Sequence, residues 1–163
     1  MEQQPSSLHP KVVEDILEFV HVIGGKTDDI ARVLRLHALT EFFLDRIIRL
    51  RMPQGSTIAD DDRFSYYHKL QIVTALDALD GNTIGALRKL SKVRNRCAHE
   101  RKPVVSAEEL IEIGSLFGAP FRKALNEFDG ENREFRALAW ALFSSLSTQV
   151  TPNEIVGEQL RLD

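Results

Sequence analysis

A single cysteine, Cys97, stands among 163 residues, so the chain forms no internal disulfide and carries no CxxC metal ligand pair. Its longest unbroken apolar run, Ala137 to Phe143, is far short of the roughly 18 residues a membrane span needs. The opening Met1-Glu2-Gln3-Gln4-Pro5-Ser6-Ser7 is neither basic nor apolar, so no signal segment is expected and a cytoplasmic location is the simplest reading. No stretch alternates apolar and polar residues for long enough to make a strand. There is no internal repeat and no low-complexity tract. The five histidines (His9, His21, His37, His68 and His99) have no metal-ligand spacing, so neither a metal nor another cofactor is expected.

What is present is a helical pattern with 43% hydrophobic and 28% charged residues, the balance of an ordinary globular domain. The punctuation predicts one all-α bundle of about five to six helices over 1–163. A first helix runs from Val12 to Ile23 and stops at Gly24-Gly25. A second, capped by Thr27 or Asp28, runs to about Arg51 and ends before Pro53. Residues 54–62, with Asp60-Asp61-Asp62, read as a loop. A third helix covers Phe64 to Leu79, and a fourth, capped by Asn82 or Thr83, runs to about Glu100. Ser106 with Glu109 makes a capping box for a fifth, which Gly118 and Pro120 bend or divide. A sixth covers Arg133 to Gln149, with a last turn after Pro152.

Charge is uneven. Residues 88–102 hold seven cations (Arg88, Lys89, Lys92, Arg94, Arg96, Arg101, Lys102) against Glu100, a net +6, and leave fourteen cations against twenty-three carboxylates, −9, elsewhere. A positive patch on an acidic body suits a polyanion met at one place. It equally suits a solvated helix end, where cations favour the dipole.

Inside that patch lies Arg94-Asn95-Arg96-Cys97-Ala98-His99. Arginine offers a planar fork of donors that matches phosphate, and histidine moves protons near neutral pH. On a helix Arg94 falls within the apolar stripe of Ile84, Leu87, Leu90, Cys97 and Ala98. Glu41 falls similarly within the stripe of Ile30, Leu34, Leu44 and Ile48. Two charges on two apolar faces predict that Arg94 and Glu41 meet. Leu36, Leu39, Phe43, Ile47 and Leu50 lie off the second stripe, so that helix is either central in its own domain or shared with a second copy. His99 lies about 140° around an ideal helix from Arg94. The two share a site only if the helix turns after Ala98 or a second subunit contributes.

Arg94-x4-His99, with Asn95 after the arginine, resembles the hallmark of the HEPN superfamily. His37-Ala38-Leu39-Thr40-Glu41-Phe42-Phe43-Leu44 is similar to that family's acidic second-helix pattern. The resemblance covers roughly residues 28–102. It implies a HEPN-like bundle that forms a homodimer with two motifs facing one cleft, and a metal-independent endoribonuclease of toxin or phage-defence type. RNA is then the substrate, and an antitoxin or other regulatory protein the partner. Carried over residue by residue, Arg94 and His99 are catalytic, Asn95 is the auxiliary polar residue and Glu41 orients Arg94. Lys92, Arg96, Arg101 and Lys102 would bind flanking phosphates. One toxin branch carries a Tyr two positions after the His, the target of a modifying partner; here that position is Arg101, which puts that mode of neutralisation in doubt. The rival reading is a non-catalytic helical regulator or interaction module, similar to mannitol-operon repressors. In it Arg94–Glu41 is structural and His99 only ends a helix.

Overall fold

The structure is a computed structural model that describes residues 8–25 and 28–160. Among these there are eight α-helices, one 3-10 turn and no strand. The all-α expectation stands, and the count of five to six does not. None of the helices is long and apolar enough to cross a membrane.

The helix starts follow their caps. Helix α1 (Pro10–Ile23) has proline in its first turn and stops at Gly24. Helix α2 (Asp29–Arg51) is capped by Asp28, whose carboxylate accepts from the Ala31 amide at 2.7 Å; Thr27, the other candidate, lies outside the described residues. The stretch expected as a loop contains a short helix, α3 (Gly55–Ala59). It packs so closely that a Cβ on Gly55 would run into the Ile48 carbonyl. Helix α4 (Tyr66–Ala75) is shorter than its apolar pattern at both ends. Helix α5 (Gly81–His99) is capped by Asp80 rather than by Asn82 or Thr83; its carboxylate accepts from both of their amides.

The expected fifth helix is divided in two. Helix α6 (Ala107–Gly114) begins on Ser106, and after a 3-10 turn over 115–117 and Gly118 at φ 62°, α7 (Ala119–Glu127) starts afresh. Only half of the capping box is made. Ser106 Oγ accepts from the Glu109 amide at 3.2 Å, but the Glu109 carboxylate is taken by Arg96. Helix α8 (Arg133–Gln159) runs straight through Pro152, joining the sixth helix to the tail. Asn153 Nδ2 donates to the Gln149 carbonyl beside the break.

Helices α2 and α8 form the centre. Phe43, Leu36, Leu44 and Ile48 of α2 are fully enclosed, as are Leu138, Leu142 and Leu146 of α8 and Leu87 and Leu90 of α5. Leu36, Leu39, Phe43 and Ile47 are therefore buried within the chain, and α2 is apolar on several faces because it is central. Emptying a site such as Phe43 would cost about 3–5 kcal/mol. Four residues of apolar pattern lie outside this core: Leu34 and Leu50 of α2 and Trp140 of α8, each exposed, and Ala98, which is exposed on the outer side of α5.

Candidate functional site

The 94–99 segment forms the last turns of α5, packed on α2. Val93 and Cys97 face inward, and burial pushes the Cys97 thiol up, away from a reactive thiolate. Arg94 is half-buried. It donates to its neighbour, from Nη1 to Asn95 Oδ1 at 3.2 Å, and no carboxylate among the described residues pairs with it. Asn95 and His99 are exposed and, four apart, share a face.

The helix stays intact through His99, with the Glu100 amide still bonded to the Arg96 carbonyl at 2.9 Å. The turn after Ala98 that would bring His99 round to Arg94 is therefore absent. Within one chain the two motif side chains leave α5 in directions about 140° apart.

The expected Arg94–Glu41 bond is not formed. Glu41 Oε1 instead accepts from Lys69 Nζ of α4 at 3.0 Å, and Asp45 Oδ2, one turn further along α2, accepts from the same ammonium at 3.1 Å. Asp45 Oδ1 lies 2.9 Å from Nζ but off the line of a hydrogen bond. Lys69 is only 6% exposed, and although burial opposes its charge, the bonds from Asp45 and Glu41 more than offset this and hold its pKa up. The physical reason is competition: a buried ammonium with two carboxylates in reach has the stronger claim on Glu41 than a half-exposed guanidinium.

One turn before Glu41 stands a residue whose role the sequence pattern does not disclose. His37 is 6% exposed, its ring packed against Tyr66 with centroids 3.9 Å apart and planes tilted by 35°. The Thr40 hydroxyl donates to the His37 carbonyl at 2.7 Å, which leaves it to accept from the Tyr66 hydroxyl at 3.1 Å. Nε2 of His37 is buried without a partner, an arrangement that costs about 1–3 kcal/mol. Burial, reinforced by the positive charge of Arg94 and partly offset by Glu41, lowers its pKa to about 4, so the ring is neutral at pH 7. His37 lies in register with Leu44 and Ile48 on the inward side of α2, and that register is the signal that could have marked it as buried.

The cations of 88–102 divide in two. Arg96 is committed: Nη1 and Nη2 donate to Glu109 at 2.7 and 2.5 Å, and Nη2 also donates to the Val104 carbonyl at 3.0 Å. It ties the end of α5 to α6. Lys89 pairs with Glu112. Lys92, Arg101 and Lys102 are exposed on the same end of α5 and bond to no carboxylate among the described residues. No group of three or more His, Cys, Asp or Glu side chains among the described residues is placed to hold a metal ion.

A second polar cluster sits across α2. Arg46 Nη1 donates to Asp15 of α1 at 2.5 Å, and Nε and Nη2 donate to Glu154 of α8 at 3.0 and 2.5 Å. Arg46 also lies over the Phe42 and Phe43 rings. Asp15 of this network reaches an apolar groove of about 770 Å³ between α1 and α8, walled by Ile16, Phe19, Val20, Trp140, Phe143 and Ile155. Nine residues separate His37 from Arg46, about 180° around α2. The groove and the 94–99 segment therefore lie on opposite sides of the central helix.

No protein-family model matches the chain, and neither a curated protein nor a solved structure is significantly similar to it.

Proposed function

We propose that this chain is a metal-independent endoribonuclease of the HEPN type, acting as a homodimer in the cytoplasm. The observation that carries the reading is Arg94. It is a half-buried guanidinium that no carboxylate among the described residues pairs with, beside exposed Lys92, Arg101 and Lys102, on the helix that ends in an exposed histidine. An arginine that is not internally neutralised keeps its charge and its fork of donors for a phosphate.

RNA brings its own nucleophile. The 2′-oxygen bonds to phosphorus, the bond from phosphorus to the 5′-oxygen breaks, and a 2′,3′-cyclic phosphate results. His99 takes the 2′ proton or returns one to the leaving 5′-oxygen. Arg94 holds the phosphate and stabilises the charge that builds on it. Asn95 steadies Arg94, and Lys92, Arg101 and Lys102 bind flanking phosphates. Arg96 is the weak member of that set, since contact with RNA would mean giving up Glu109. Glu41 acts at one remove, by fixing Lys69. Because Arg94 and His99 diverge on an unbroken helix, the working site is composed from two copies meeting at their α5 ends, Arg94 of one with His99 of the other.

That same divergence favours the second reading, a non-catalytic helical regulator or interaction module in which the α5 end is a solvated helix terminus. Cleavage of total RNA by the purified protein in excess chelator separates the two. The ribonuclease reading expects cyclic-phosphate ends from the wild type and none from His99→Ala or Arg94→Ala. An inert wild type, or a His99→Ala protein that cuts at the wild-type rate, defeats it.

A further inference from the structure

We propose that His37 is a positioning residue for Arg94, its buried Nε2 accepting a hydrogen bond from the guanidinium when Arg94 turns to hold a phosphate. The inference rests on the reading of Arg94 as the phosphate-binding arginine. Three features of the packing carry it. The imidazole is fixed rather than adaptable: the Tyr66 ring packs against it with centroids 3.9 Å apart, and the Tyr66 hydroxyl is tied through Thr40 back to the His37 carbonyl. Its Nε2 is buried without a hydrogen-bond partner, and a buried orphan calls for a partner in some state of the molecule. On the packed neighbour α5, Arg94 has most of its five donors unspent and one 3.2 Å bond to Asn95.

The charges around the ring suit this task. Glu41 follows one turn later on α2, Lys69 of α4 holds that carboxylate at 3.0 Å, the uncharged Tyr66 covers the ring face, and Arg94 approaches from α5. Lys69 thus keeps Glu41 from pairing with the imidazole or with Arg94. A neutral acceptor orients a guanidinium without cancelling its charge, whereas a carboxylate would spend on the protein what the phosphate needs. Arginine donates and never accepts, so the bond requires the tautomer of His37 with its proton on Nδ1.

The test uses the full chain with two substitutions. His37→Phe keeps an aromatic ring on Tyr66 and removes the acceptor; His37→Gln places an amide oxygen near the Nε2 position. In chelator, His37→Phe is expected to lower kcat for RNA cleavage about 10- to 100-fold with KM changed less than about threefold, the signature of a misplaced group rather than lost binding. His37→Gln is expected to recover a substantial part, and neither to melt below the wild type. The second arm needs no cleavage. Long-range proton–nitrogen correlation spectra read the His37 tautomer, free and with a 2′-O-methyl oligoribonucleotide that binds but lacks the nucleophile. The proton is expected on Nδ1, and the Nε2 resonance is expected to move on binding in the wild type and to stay put in Arg94→Ala. If the wild type cuts RNA and His37→Phe cuts equally well, the positioning role is overturned and the ribonuclease reading survives. If the wild type binds the probe without cutting RNA, the ribonuclease reading fails and the Nε2 shift alone decides the His37–Arg94 bond. A proton on Nε2, or an Nε2 signal indifferent to the probe, overturns the proposal in either case.

Discussion

Lys69 Nζ lies 3.0 Å from Glu41 Oε1 and 2.9 Å from Asp45 Oδ1, a buried ammonium held between two carboxylates one turn apart on α2. The two carboxylates would repel each other without it, and the ammonium would be stranded without them. Lys69→Met is expected to lower the unfolding free energy by about 3 kcal/mol, the low end of the range for a broken buried pair because Glu41 is 35% exposed. The combined change Lys69→Met, Glu41→Gln, Asp45→Asn removes all three charges and is expected to regain most of that. Urea unfolding of the single and triple variants measures both. A single variant as stable as the wild type would mean that the ion cluster is energetically idle.

Acid is expected to weaken the fold from just below neutral pH, and His37 sets the window. Its pKa is about 4 in the folded chain against an ordinary 6.5 for the unfolded chain, which therefore binds the proton more readily. Stability is complete above pH 6.5 and declines as pH falls toward 4, by about 2 kcal/mol between pH 7 and pH 5. Glu154 adds a loss at lower pH. Burial pushes its carboxyl up, but the bond from Arg46 and the nearby charge of Lys11 more than offset this and hold it below the usual range, a contribution lost as pH falls through the folded value. Urea midpoints across pH 7 to 5 are expected to slope for the wild type and to be flat for His37→Phe. Parallel slopes would show that His37 is not the titrating group.

The sequence made legible what local chemistry controls. Asp28, Ser106 and Gly24 stand where α2 and α6 begin and α1 ends, because a side-chain cap or a glycine acts on its own turn. The apolar residues of α2 marked it as either central or shared with a second copy, and only the burial of Leu36, Phe43 and Ile47 within the chain decides for the first. What escaped was the choice among partners distant in sequence. Glu41 had two cations available, Arg94 and Lys69, and nothing in their spacing says that α4 approaches closer than the end of α5. Pro152 reads as a helix stop, yet α8 continues through it, held before the proline by Thr151 on Asp15 of α1 and after it by Glu154 on Arg46 of α2. Asp15, Arg46 and Glu154 gave no signal at all, being single charges on three separate helices.

That last network holds α1 and α8 against α2. Arg46 links Asp15, at 3% exposure, to Glu154, and Thr151 also donates to Asp15. Arg46→Ala leaves a buried carboxylate without its counter-ion and is expected to cost about 3–5 kcal/mol, whereas Arg46→Met with Asp15→Asn removes both charges and is expected to cost much less. Thermal melting ranks the two variants. If the double variant is the less stable, the network contributes net stability beyond avoiding an unpaired charge.

The unbroken α5 makes the composite-site arrangement open to a mixing experiment. If each site takes Arg94 from one chain and His99 from the other, neither Arg94→Ala nor His99→Ala forms a working site with itself. A heterodimer of the two restores one: the chain carrying His99→Ala still supplies Arg94, and the chain carrying Arg94→Ala still supplies His99. Random exchange makes half of the dimers mixed, each with one intact site of two, so the mixture is expected to regain about a quarter of wild-type cleavage. A site built within one chain predicts no recovery, because every chain in the mixture lacks one member. The α1–α8 groove lies across α2 from the motif, so Leu17→Asp on the outer face of α1 is expected to leave the recovery unchanged. Two inactive proteins that stay inactive when mixed, although sedimentation shows that they have exchanged partners, would return Arg94 and His99 to separate roles on one helix.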